Sequence, residues 1–179
     1  QSVAKKPSLA DATEYGRIIN ASLENDGNSP LYPNPDELGS GTDWWDEVTE
    51  SAPMSNFNVN ITSGSETMKI STGATHQYQD GIIKGSDFQK WNVRLNTEFK
   101  VGDKVTIGEN FTLANSQTTN GPNLVWDVHR LEPVTDPYLP DYEQVGLNEF
   151  SIFSPTITDV PNALGQLSRS FNEDNYTRV

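Results

Sequence analysis

The chain has no cysteine, which excludes disulfides, thiolate metal sites and cysteine nucleophiles. It holds two histidines, His76 and His129, and neither stands beside a serine-nucleophile signature. No Gly-x-Ser-x-Gly, His-Glu-x-x-His or phosphate-cradling glycine loop occurs. Acidic residues are so common that a carboxylate pair carries no message of its own, so no enzyme, cofactor or metal is expected. Basic residues are scarce: 12 Lys and Arg against 25 Asp and Glu leave a net charge of -13. Such a surface repels phosphate backbones, which removes nucleic acid as an expected partner. No run of 18 apolar residues exists to form a transmembrane helix. Apolar residues of any kind make up 34% of the chain, and mean hydropathy is -0.62. That is little for a buried core, yet aromatic and β-branched residues are too plentiful for disorder. Gln1-Ser2-Val3-Ala4-Lys5-Lys6 has no apolar segment of a signal peptide, so a mature chain or a piece of a longer one is expected.

Order is present where the chain alternates. Residues 1–54 read as loop with short helices. Asp11-Ala12-Thr13-Glu14 is a capping box, after which Tyr15, Ile18, Ile19 and Leu23 mark one helical face and Gly27 ends it. A second short helix is expected from Thr42, carrying Trp44, Trp45 and Val48. Four strands follow over 55–116, at about 55–63, 67–79, 87–101 and 104–116. Their short links are rich in Gly, Asp and Ser, as antiparallel hairpins require. Residues 117–170 return to a long loop. Leu124, Val125, Val128 and Leu131 mark a short helix there, and Pro133, Pro137, Pro140, Pro155 and Pro161 keep the rest irregular. Residues 171–179 read as the start of another strand.

Sorting the strands by parity separates two faces. Phe57, Val59 and Ile61, then Trp91, Val93, Leu95 and Phe99, then Val105, Ile107, Phe111 and Leu113 share one side. Asn, Thr, Ser, Lys and Arg fill the other. A soluble sheet with one wet face and a transmembrane barrel wall both fit this pattern. Glu109 falls on the apolar side, so a bulge near Gly108 or a place close to the membrane interface is expected. A closed barrel needs about eight strands or more, so these strands would form an arc of the wall.

Several segments, in this order and spacing, resemble SusC/RagA-type TonB-dependent outer-membrane transporters. They are Gly41-Thr42-Asp43-Trp44-Trp45-Asp46-Glu47, Ala52-Pro53-Met54-Ser55-Asn56-Phe57-Asn58, Gln79-Asp80-Gly81-Ile82-Ile83-Lys84-Gly85-Ser86-Asp87-Phe88 and Glu132-Pro133-Val134-Thr135-Asp136. The resemblance implies an all-β fold: an antiparallel meander forming an arc of a large transmembrane β-barrel, with long extracellular loops containing short helices. It places residues 1–54 and 117–170 outside the cell of a Gram-negative bacterium and the tight turns in the periplasm. It also implies import of glycans or peptides, a SusD-like surface lipoprotein as partner, and TonB acting through a plug.

On this reading Asn92, Arg94 and Asn96 are candidates for the transport path, as donors and acceptors for ligand hydroxyls. The competing assignment is that they hydrate the lumen or meet the plug. Trp44, Trp45 and Trp126 are candidate loop aromatics for ligand stacking, or anchors of the loops. Adjacent helical residues point apart, so at most one of Trp44 and Trp45 can stack on a given ligand. The alternative from another class is a soluble all-β module that binds carbohydrate or mediates adhesion. Asn25-Asp26-Gly27-Asn28 supplies oxygens but lacks the spacing of a calcium loop.

Overall fold

The computed structural model describes residues 2–3, 5–138 and 160–179; residues 139–159 of the expected long loop, with Pro140 and Pro155, lie outside that range. The chain divides into a sheet unit, Ser51–Gly121 with Phe171–Val179, and a loop unit, Val3–Glu50 with Pro122–Ser170.

The sheet unit is an antiparallel meander of five strands in the order β1 to β5: β1 (Met54–Gly64), β2 (Met68–Asp80), β3 (Asp87–Val101), β4 (Val105–Asn120) and β5 (Asn172–Arg178). The links are tight, as their residue types require. Gly102 sits at φ 63° in the β3–β4 turn, and Gly85 at φ 77° in the β2–β3 link, where most side chains would be strained. Strand β4 runs four residues past its expected end, and its last seven residues carry the ladder to β5.

The register confirms the parity of the faces. Ile61, Thr72, Leu95 and Phe111 form one row across four strands, and Val59, Ala74, Val93 and Leu113 the next. Phe57, His76 and Trp91 close the apolar band at the loop end. There the His76 and Trp91 rings stack at 3.9 Å, and Gln89 Nε2 meets His76 Nε2 at 3.0 Å. Val101 and Val105 close the band at the turn end. The ladder runs unbroken through Gly108, which faces Glu98. No bulge turns Glu109 away, and it lies on the apolar side opposite Thr97. That register is held because shifting one residue would throw every neighbouring side chain to the wrong face.

No described residue of β1 to β5 is buried. Phe57 is 66% exposed, Ile61 61% and Val93 42%, so among the described residues the apolar face is left open.

The loop unit instead has a conventional core. Helix α1 (Ala12–Asn25) is capped by Asp11, whose carboxylate accepts the Glu14 N–H at 2.8 Å. Its buried residues are Ala12 and Gly16, while Ile18 is 60% exposed. The expected apolar face is therefore rotated. A side chain on Gly16 would meet Leu38 at 2.7 Å and Pro35 at 3.2 Å, so close docking of the small face sets the helix orientation. Helix α2 (Trp44–Val48), α3 (Val125–Arg130) and α4 (Ala163–Leu167) pack together. They bury Trp44, Val48, Val128, Ala163, Leu164 and Leu167, joined by Leu124 and Leu131 at the ends of α3. The 3-10 turn Pro35–Glu37 and helix α4 are further elements that the sequence reading leaves as loop.

Candidate functional site

Two places gather the candidate side chains, one in each unit. In the loop unit the Gly41–Trp44 segment is locked onto Glu132–Thr135. Gly41 has φ 66°, and a Cβ there would lie 2.2 Å from the Pro133 carbonyl oxygen. The Thr42 N–H donates to that oxygen at 2.8 Å, and Thr42 Oγ1 donates to the Thr135 carbonyl at 2.9 Å. Asp43 then caps α2, accepting the N–H groups of Trp45 at 3.0 Å and Asp46 at 3.2 Å. That cap aims the two tryptophans differently. Trp44 goes into the core, 3% exposed, with its indole N–H donating to the Glu132 carbonyl at 2.9 Å. Trp45 turns aside and meets the His129 ring edge-on at 5.3 Å. His129 is held by Nδ1, which bonds the Val125 carbonyl at 2.5 Å, so that nitrogen carries the hydrogen.

Trp45 and His129 line a cavity of about 470 Å³ together with Lys6, Thr42, Asp43 and Arg130. Lys6 bonds Asp46 and lies 3.5 Å from Asp43. Those acceptors, Asp46 first, hold its ammonium above the ordinary lysine value. Behind this wall Glu132 is 1% exposed. Burial, and next the charge of Glu132, raise the Tyr32 hydroxyl above 10.0. Trp126 is 71% exposed and is not part of the cavity wall. Of the three candidate aromatics, Trp44 and Trp45 both line this cavity, Trp44 as a buried core anchor and Trp45 half-buried beside His129. The sequence carried no sign of His129 as its neighbour, because α2 and α3 lie far apart along the chain. Among the described residues no group of three or more His, Cys, Asp or Glu gathers to hold a metal ion.

In the sheet unit Asn92, Arg94 and Asn96 lie side by side along β3 on the polar face. Their neighbours are small: Thr75, Gly73 and Ser71 on β2, Ala114, Thr112 and Asn110 on β4. Asn60 donates to the Asn58 side chain, which donates to Thr75 Oγ1 at 2.7 Å. Thr62 and Ser71 hydroxyls meet at 3.3 Å. The result is a flat field of amides and hydroxyls, each able to donate or accept. Arg94 stands exposed within it.

No protein family's sequence model matches the chain. It is similar to two curated proteins of Formosa agariphila. TonB-dependent receptor P26 is 28% identical over 121 residues, which cover 68% of this chain and 12% of the relative. TonB-dependent receptor P3 is 26% identical over 136 residues, covering 70% of this chain and 13% of the relative. The chain thus spans about an eighth of the length of the curated relatives it matches.

Proposed function

We propose that this chain is part of the wall and outer loops of a TonB-dependent outer-membrane importer of the SusC/RagA type. In this reading it carries glycans or peptides inward, with a SusD-like lipoprotein over the outer loops and TonB acting through a plug. The apolar face meets lipid and the polar face lines the lumen. The tight turns lie in the periplasm, and the loop unit lies outside the cell. The task is passage, not catalysis.

One observation carries the reading: an apolar band with the height of a membrane, left exposed among the described residues. From Trp91 to Val101 the band on β3 covers ten residue steps, or about 34 Å of strand at roughly 3.4 Å per step. A tilt of about 45° reduces that to about 24 Å, close to the roughly 25 Å lipid-facing band of outer-membrane barrels. The row of Phe57, His76 and Trp91 falls where an aromatic girdle belongs. A soluble sheet rarely leaves an apolar patch beyond a few hundred Å² to water, which disfavours the alternative of a soluble carbohydrate-binding module. The open edge of β1 and the unpaired first half of β4 cannot face lipid, so in the membrane they continue into further strands. Similarity to two TonB-dependent receptors supports the same reading.

The test is deletion of the intact gene in its host, with uptake measured over a panel of glycans and peptides. Loss of uptake of one class, restored by the gene but not when TonB is absent, is the expected result. Unchanged uptake of every compound tried, or recovery of the intact protein in the soluble fraction, sinks the proposal.

A further inference from the structure

We infer that the polar face of the sheet receives an anionic oligosaccharide, one that bears carboxylate or sulfate groups. This rests on the importer reading and narrows its cargo. The chain as a whole is strongly acidic, at -13. Its strands distribute charge otherwise. All five strand cations, Lys69, Lys90, Arg94, Lys100 and Arg178, fall on the polar face. Two acids share it, Glu98 and Asp174, so that face carries +3. One of the five is answered locally: Lys69 lies 3.3 Å from Glu98.

The register concentrates the others. Asn92, Ala114 and Arg178 stand in one row, and Lys90 and Arg94 flank that row on β3. Arg178 is two strands from β3, or about 10 Å at roughly 4.8 Å per strand, and Lys90 is about 14 Å from Arg94. Asn92, Thr112, Ala114 and Ser116 fill the ground between them, with Tyr176 beside Arg178, and none is acidic. Three cations thus rise from this surface with no carboxylate among them. A surface of one sign against a low-dielectric wall focuses its field on whatever passes. The arginine fork matches a carboxylate or sulfate with two parallel hydrogen bonds. Around it the amides and hydroxyls suit sugar hydroxyls, while these rows offer no apolar pocket of the kind that binds peptide side chains. That combination selects an acidic sugar chain over an acidic peptide.

The test uses the intact protein in detergent and calorimetric titration with three oligosaccharides of equal length: an oligogalacturonate, a sulfated oligosaccharide and a neutral glucan. The parent is expected to bind one or both anionic probes, more weakly as salt rises, and to bind the glucan poorly. Combined Lys90→Gln, Arg94→Gln and Arg178→Gln should weaken anionic binding about tenfold per lost charge and flatten the salt dependence. Arg94→Lys, which keeps the charge and removes the fork, should fall between. Equal affinity for the glucan, binding of neither anionic probe, or no change in the triple variant overturns the inference. So does a triple variant that loses thermal stability and uptake of all cargo, because the cations would then be holding an internal segment of the barrel. These outcomes are separate from failure of the importer reading, which shows as unchanged uptake after deletion.

Discussion

Replacing Phe111 with Arg tests the membrane assignment with a built-in control one residue away. Phe111 shares a row with Leu95, Thr72 and Ile61. On β3 that row is six residue steps from Val101 and four from Trp91. At about 3.4 Å per step and a tilt of about 45° it lies roughly 14 Å above one edge of the band and 10 Å below the other, near the bilayer midplane. An arginine there costs about 2–4 kcal/mol, which is roughly 30- to 700-fold in a folding equilibrium. Thr112 is the next residue, exposed on the opposite face. An arginine at Thr112 stays in water beside Arg94, and its cost should stay within about 0.5 kcal/mol. The assay is urea-dependent refolding of the intact protein into lipid vesicles, followed by the heat-modifiable mobility of the barrel. Phe111→Arg should lower the midpoint sharply and Thr112→Arg should leave it nearly in place. In a soluble sheet the ranking vanishes, since Phe111 is already 39% exposed and an arginine there meets water. Equal effects of the two substitutions, or a harmless Phe111→Arg, would refute the lipid-facing assignment.

Glu109 predicts the opposite sign. It lies two rows inside the turn end of the band, so Glu109→Val should stabilise the refolded barrel by about 1 kcal/mol, less than an arginine costs because carboxylates are penalised less; no gain in the same assay would place the membrane edge elsewhere. In the loop unit, Trp44→Ala should cost about 3–5 kcal/mol, as expected for truncating a buried tryptophan. Trp126→Ala should cost under about 0.5 kcal/mol at an exposed site. Hydrogen exchange over α2 and α3 separates the two, and equal protection in both variants contradicts the core placement of Trp44. Tyr32 has its hydroxyl raised above 10.0 by burial and then by Glu132. The proton is held longer in the folded form, so this contribution to stability is complete below 10 and is lost as pH climbs through the folded value. Tyr32→Phe should remove that part of the alkaline loss of loop-unit protection, and an identical pH profile in both proteins rules it out.

The strands were legible because two signals agree at each of them, a period of two and a turn residue at each end. For β3 both are sharp, Ser86 before it and Gly102 after, and its range is read to the residue. The end of β4 was not legible. Gln117-Thr118-Thr119-Asn120 is polar on both faces, so alternation fades, and what extends the strand is its pairing with Asp87–Gln89 of β3 on one side and with β5, more than fifty residues later, on the other. The helices of the loop unit were half legible. Asp11 announces α1 through its cap, and α2 is read from Thr42 onward although its cap is Asp43, but α4 has five residues and sits just after Pro161. The face that α1 buries depends on Leu38 and Pro35 closing over Gly16, a contact that no periodicity encodes. The same applies to the site. Asn92, Arg94 and Asn96 could be placed on one face by counting, whereas the approach of Arg178 to their row needs the β4–β5 register. The indole of Trp44 reaches a carbonyl 88 residues away, and only the folded loop unit reveals it as core.

The scarcity of apolar residues follows from how each unit meets its surroundings. The loop unit buries its own apolar side chains and draws them from both of its ranges: Trp44 and Val48 from one, Leu124, Val128, Leu131 and Leu167 from the other. Neither range has enough for a core alone, and the lock between Gly41–Trp44 and Glu132–Thr135 is what makes them fold as one. The sheet unit needs no inner layer. In the importer reading one face is covered by lipid and the other stays wet, so half of each strand can be polar. The contrast between two solvents also supplies what a packed core ordinarily supplies, a single register. A slip of one residue would turn Asn58, Asn92 and Arg94 toward hydrocarbon and Phe57, Val93 and Phe111 toward water. At a few kcal/mol for a single misplaced charge at mid-membrane, that penalty summed over four strands exceeds the stability of an ordinary domain, and the alternating sequence therefore admits one pairing.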